Sequence, residues 1–70
     1  MISLQVNGKA VELAAPTPLR DYLASLGVNP LAVAVELNGR ILERSEFDSV
    51  RLGDGDAVEI VRMVGGGRSG

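Results

Sequence analysis

The sequence predicts an α+β domain: a mixed sheet of four to five strands packed on one helix. Three observations carry this. Asn7-Gly8 lies between two runs of alternating apolar residues, which is the strongest short-range signal of a β-hairpin. Leu19, Tyr22, Leu23 and Leu26 follow the i, i+3, i+4, i+7 spacing of one helix face. Two β-branched runs, at 32–37 and 57–64, then supply further strands. A helix with a single apolar stripe must lay it against a sheet.

Length and composition bound the rest. The chain has 70 residues, so one domain is expected. A domain of this size buries only roughly 60% of its unfolded surface, and it folds alone only if its core packs well. Hydrophobic residues make up 46% of the chain, enough for such a core. Aromatic residues make up 3%, too few for the serial stacking platforms that bind single-stranded nucleic acid. A net charge of −2 argues against a basic phosphate-binding surface. There is no cysteine and no histidine, which removes disulfides, thiolate chemistry and the commonest general base and metal ligand. No apolar run approaches the length of a membrane span. The start of the chain shows neither the charged nor the apolar region of a signal peptide. A soluble, cytoplasmic protein with no nucleic-acid or membrane partner is expected.

Taken in order, residues 2–13 read as the hairpin. A two-residue loop at Asn7-Gly8 pairs Val6 with Lys9, Leu4 with Val11 and Ile2 with Leu13. The last two pairs are apolar on both strands, while Ser3, Gln5, Ala10 and Glu12 share the other face, so turn and pattern agree on one register. Residues 14–17 form a loop. Thr17 suits a helix N-cap, Pro18 the first helical position, and Asp21 the positive end of the helix. Gly27 suits the residue just past its end. Tyr22 belongs to the core or its rim and has no partner base for catalysis. Asn29-Pro30 closes the helical region.

The strand at 32–37 places Val33, Val35 and Leu37 on one face. Asn38-Gly39 is a second turn, followed by the short apolar pair Ile41-Leu42. Ser45-Glu46-Phe47-Asp48 reads as an N-capped helical turn with Phe47 tucked into the core. Asp54-Gly55-Asp56 reads as a tight acidic turn, since two carboxylates without further ligands make a weak cation site. In the last strand Val58 and Ile60 continue the buried alternation. Val61 and Met63 fall on the other face with Glu59, where apolar residues are either ordinary surface or a partner site. A last strand entering mid-sheet between two neighbours gives the layout of the β-grasp, or ubiquitin-like, fold.

The Asn7-Gly8 hairpin, the Asn38-Gly39 turn, the Asp54-Gly55-Asp56 turn and Val64-Gly65-Gly66-Gly67, in this order and at this length, resemble the ThiS family of thiamine biosynthesis over residues 1–67. Molybdopterin-synthase small subunits and other ubiquitin-like sulfur carriers are related. Met63-Val64 ahead of the glycines, where the molybdopterin proteins tend to carry prolines, favours the thiamine branch.

The resemblance implies a sulfur carrier and no enzyme. A ubiquitin-activating-type adenylyltransferase would adenylate the terminal glycine carboxylate with ATP. A sulfur-donating cysteine desulfurase system would convert it to a thiocarboxylate. Thiazole synthase would then take the sulfur into the thiazole ring. No cofactor is held by the carrier itself, and no metal.

On this reading residues 1–64 are the β-grasp domain and 65–70 a glycine-rich tail. Gly67 is the adenylated, sulfur-carrying terminus, Gly65 and Gly66 are the arm, and Val61, Met63 and Val64 meet the partner. A terminal carboxylate of pKa about 3.3–3.7 is ionised at neutral pH and must be activated before it reacts as an acyl group. Glycine lets the tail thread a narrow channel with no Cβ in the way, and five residues from Met63 to Gly67 reach at most about 17 Å. Arg68-Ser69-Gly70 follow the expected reactive end and must be absent for Gly67 to present its carboxylate. Direct use of Gly70 is the least favoured reading. The alternatives are a sulfur carrier for another pathway, such as molybdopterin, and a ubiquitin-like binding module whose tail is only a chain end.

Overall fold

Strands β1 (Ile2–Val6) and β2 (Lys9–Leu13) form the expected hairpin in the computed structural model, which describes residues 1–63. Ile2 pairs with Leu13, Leu4 with Val11 and Val6 with Lys9, the register that the turn and the alternation predict. Asn7 has φ 52° and Gly8 φ 80°, as a type I′ turn requires. Ile2, Leu4 and Val6 are buried and the residues between them are exposed.

Helix α1 (Leu19–Ser25) buries Leu19, Tyr22 and Leu23. Each fully buried leucine contributes about 1.5–3 kcal/mol relative to an exposed one. Two details differ from the sequence reading. Leu26 is the C-cap residue and is 48% exposed, because the helix ends before a further turn brings it onto the sheet. Gly27, at φ +75°, does follow that cap.

Thr17 is also no N-cap. Thr17–Pro18 form a short strand, β3, and Pro18 takes the cap position without a side-chain hydrogen bond. The Thr17 hydroxyl donates to Ala15 O at 2.9 Å, while the Leu19 N–H donates to Val50 O at 2.9 Å. A distant loop thus satisfies the helix start that a local hydroxyl was expected to satisfy.

A 3₁₀ turn at Pro30–Ala32, capped by Asn29 Oδ1 accepting from Leu31 N at 2.9 Å, leads into β4 (Val33–Leu37). The Asn38-Gly39 turn, again with positive φ at both residues, returns the chain as β5 (Arg40–Ile41). A second 3₁₀ turn spans Arg44–Asp48 and buries Phe47 to 1% exposure. Its N-cap is Glu43 rather than Ser45. The Glu43 N–H donates to Glu46 Oε1 at 2.8 Å, so a glutamate three residues on makes the reciprocal bond of a capping box.

Strand β6 (Arg51–Leu52) pairs antiparallel with β3. Strand β7 (Ala57–Arg62) then enters the main sheet, whose order is β2-β1-β7-β4-β5. It runs parallel to β1 and antiparallel to β4. This is the β-grasp architecture, with five strands in the main sheet. Leu19, Leu23, Val35, Phe47, Leu52 and Val58, each under 2% exposed, form the centre of the core.

Candidate functional site

The functional reading centres on the last strand, so what holds β7 matters most. Its pairing with β4 runs over five residues, from Leu37↔Val58 to Val33↔Arg62. Its parallel pairing with β1 covers only Gln5↔Ala57 and Val6↔Val58. Where β1 stops, Asn7 takes over. Its main-chain N–H donates to Val58 O at 2.8 Å. Its side chain accepts from Ile60 N at 2.7 Å and donates to Ile60 O at 3.2 Å, standing in for one more residue of ladder. On the other flank Asn38 does the same with Ala57, donating from its N–H to Ala57 O at 2.8 Å and accepting from Ala57 N on Oδ1 at 2.9 Å. The two turn asparagines grip β7 from both sides. The Met63 N–H donates to Ala32 O at 2.9 Å, carrying the antiparallel ladder one step past Arg62.

Cross-strand partners share a face, so the register sorts the side chains. Val58 and Ile60 face the core, opposite Leu37 and Val35. Ala34, Glu36, Ile41, Glu59 and Val61 face outward, through the pairs Ala34↔Val61, Glu36↔Glu59 and Glu36↔Ile41. Together with Val35 these line a shallow depression of about 130 Å³. Val61 is 58% exposed, Met63 49% and Ile41 73%.

Of the predicted partner-contacting residues, Val61 and Met63 are therefore solvent-exposed beside an apolar patch. Val64, the glycines 65–67 and the domain boundary after residue 64 lie outside the described residues. The sequence reading missed Ile41, taking it with Leu42 as one apolar pair. Leu42 alone is buried. The signal was present: a two-residue turn at Asn38-Gly39 sets Ile41 opposite Glu36, on the outward face.

The acidic turn serves the fold. Asp54 Oδ1 accepts from Ser3 N at 2.8 Å, Asp56 Oδ2 from Gly53 N at 2.8 Å, and Asp56 Oδ1 from Asn38 Nδ2 at 3.1 Å. Among the described residues no group of three or more His, Cys, Asp or Glu side chains is placed to hold a metal ion. No polar or charged side chain among them is buried, and no described helix is long and apolar enough to cross a membrane. What the arrangement offers is a rigid central strand, gripped on both flanks, with an exposed apolar patch beside its exit.

A β-grasp body whose last strand is held mid-sheet and is followed in the sequence by a glycine run defines a ubiquitin-like domain. Sequence comparison narrows this. The model of the ThiS family matches residues 4–67, and the chain belongs to that family. It is 42% identical over 65 residues to the sulfur carrier protein ThiS of Bacillus subtilis, covering 91% of this chain and 98% of that one. It is 38% identical over 66 residues to a thiazole synthase of Paramagnetospirillum magneticum, covering 94% of this chain but 20% of the larger protein. The crystal structure of a thiamine biosynthesis protein (ThiS) from Geobacter metallireducens superposes with a TM-score of 0.82 at 42% identity, covering 94% of this chain and all of that one.

Proposed function

We propose that this chain is the sulfur carrier of thiazole formation in thiamine biosynthesis, and that its reactive group is the carboxylate of Gly67 once residues 68–70 are absent. The match of the ThiS family over residues 4–67 carries the reading, since it ends on the third glycine. The protein acts as a co-substrate and not as a catalyst. The Gly67 carboxylate attacks the α-phosphorus of ATP on a ubiquitin-activating-type adenylyltransferase, releasing pyrophosphate and leaving an acyl adenylate. A persulfide sulfur, supplied by a cysteine desulfurase system, displaces AMP. A second thiol then attacks the donor-side sulfur of the resulting acyl disulfide, forming a disulfide with the donor and releasing the thiocarboxylate, which thiazole synthase consumes. ATP is bound by the activating enzyme and not by the carrier.

The structure fits this division of labour. The fold supplies a stiff strand up to Met63, and the chemistry is left to residues that must enter another protein. Relatives in which the same domain makes up about a fifth of a thiazole synthase chain support the synthase as a partner, because fusion holds the two at high effective concentration. Val61, Met63 and Val64 are assigned to that encounter.

The test is loading. A chain ending at Gly67, incubated with the activating enzyme, ATP and the sulfur source, is expected to change mass by one oxygen-to-sulfur exchange, read by intact-protein mass spectrometry. A competent activating enzyme that leaves the mass unchanged would sink the proposal. The same chain with a bulky residue in place of Gly67 should fold normally and fail to load.

A further inference from the structure

We infer that the outward face around Glu36 and Glu59 docks a partner surface that inserts one arginine between the two carboxylates, inside an apolar rim formed by Ile41, Val61 and Ala34. This deepens the carrier reading and rests on it. Glu36 and Glu59 are direct cross-strand partners, and like charges directly opposite destabilise a sheet. The acids that serve the fold have partners: Glu46 has Arg40, Asp48 has Arg20, and Asp54 and Asp56 hold N–H groups. Among the described residues neither Glu36 nor Glu59 takes part in a salt bridge. Their neighbours are apolar and open to solvent, with Ile41 at 73% and Val61 at 58% exposure. A doubled negative charge set in exposed apolar surface is complementary to a cation carried on an apolar partner face.

Size decides what the cation is. The depression beside the pair measures about 130 Å³, well below the roughly 300–1,000 Å³ of small-molecule sites, but enough for the head group of one side chain. Two carboxylates fall short of the six to eight oxygens that calcium takes. A guanidinium offers several N–H donors in a rigid fork and so can give one edge to each carboxylate, which a lysine ammonium does less well. The site is continuous with the strand that leads to the tail, since Val61 and Met63 lie on the same face. Docking here would seat the carrier while its terminus enters the partner.

The test is calorimetric titration of the full chain against the thiazole synthase of the same organism, at low and high salt. The variants are Glu36→Gln/Glu59→Gln together, Val61→Asp, and Glu12→Gln on the remote strand β2. The double glutamine variant should bind about tenfold or more weakly, as for loss of a desolvated charge pair, and should lose most of its salt dependence. Its thermal unfolding should be unchanged or slightly raised, because a like-charge contact is gone. Glu12→Gln should bind like the parent. Parent-like binding by the double variant overturns the arginine contact. If Val61→Asp then still abolishes binding, the face docks through apolar contact alone. If Val61→Asp also binds like the parent, the whole face is excluded. Neither result touches the loading of Gly67, whose failure would be seen separately by mass.

Discussion

Along the six residues of β7, Val58 and Ile60 look toward the helix while Glu59 and Val61 look away, and the two sets answer to different constraints. The inward residues meet Val35 and Leu37 across the ladder, and Val58 is 1% exposed. The outward ones place a carboxylate opposite a carboxylate and leave Val61 more than half exposed. Nothing in folding asks for the outward arrangement. One face of the strand is set by the core, and the other is the face proposed to meet a partner.

The sharpest way to break that contrast is to make the same change on both faces. Val58→Asp buries a charge with no partner and should cost on the order of 3–5 kcal/mol, a large part of the stability of so small a domain. Urea denaturation should show a chain largely unfolded in water. Val61→Asp should cost about 1 kcal/mol or less, within the range of strand-propensity effects at an exposed site. Similar losses at the two positions would mean that the outward face is part of the core after all.

The next effect concerns the grip on the strand. Asn7→Gly keeps the left-handed backbone of the turn but deletes both side-chain bonds to Ile60. At about 0.5–1.5 kcal/mol per hydrogen bond the loss of two should be about 1–3 kcal/mol, with amide exchange at Ile60 accelerated more than at Val35. Asn7→Ala should cost more, since alanine resists positive φ by about 1–2 kcal/mol. Equal stability of Asn7→Gly and parent would show that the Asn7 side chain adds nothing to the hold that the main-chain ladder has on β7.

Legibility in the sequence divides along the same line of local against distant. The hairpin register could be read because Asn7-Gly8 is contiguous and its turn type dictates the pairing. Gly27 and the alternation of β7 are equally local. Thr17 misled because its helix start is satisfied by Val50, a contact with no trace in the surrounding residues. The roles of Asn7 and Asn38 as clamps were invisible for the same reason. Each reads as a turn former, and its second task depends on a strand 19 to 53 residues away. Within the candidate site, exposure of Val61 and Met63 followed from alternation alone. The Glu36–Glu59 pair needed the β4–β7 register, and that register is a product of the whole fold.

The smallest effect concerns an acid that serves the fold. Glu46 accepts from the Glu43 N–H at 2.8 Å and from Arg40 Nη1 at 3.1 Å, and its carboxyl lies below the ordinary glutamate value, first through the Glu43 backbone bond and then through Arg40. A carboxyl whose pKa falls on folding releases its proton more readily in the folded chain. The unfolded chain therefore binds more protons as acid is added, and stability declines with falling pH. The contribution of Glu46 is fully present above its unfolded pKa, near the ordinary glutamate value of 4.5, and is lost as pH falls through the lowered folded value. NMR titration of the Glu46 side chain should place its midpoint below 4.5, and Glu46→Gln should flatten the acid limb of the stability profile. An acid limb as steep in Glu46→Gln as in the parent would show that the bonds from Glu43 and Arg40 contribute nothing to the pH dependence of folding.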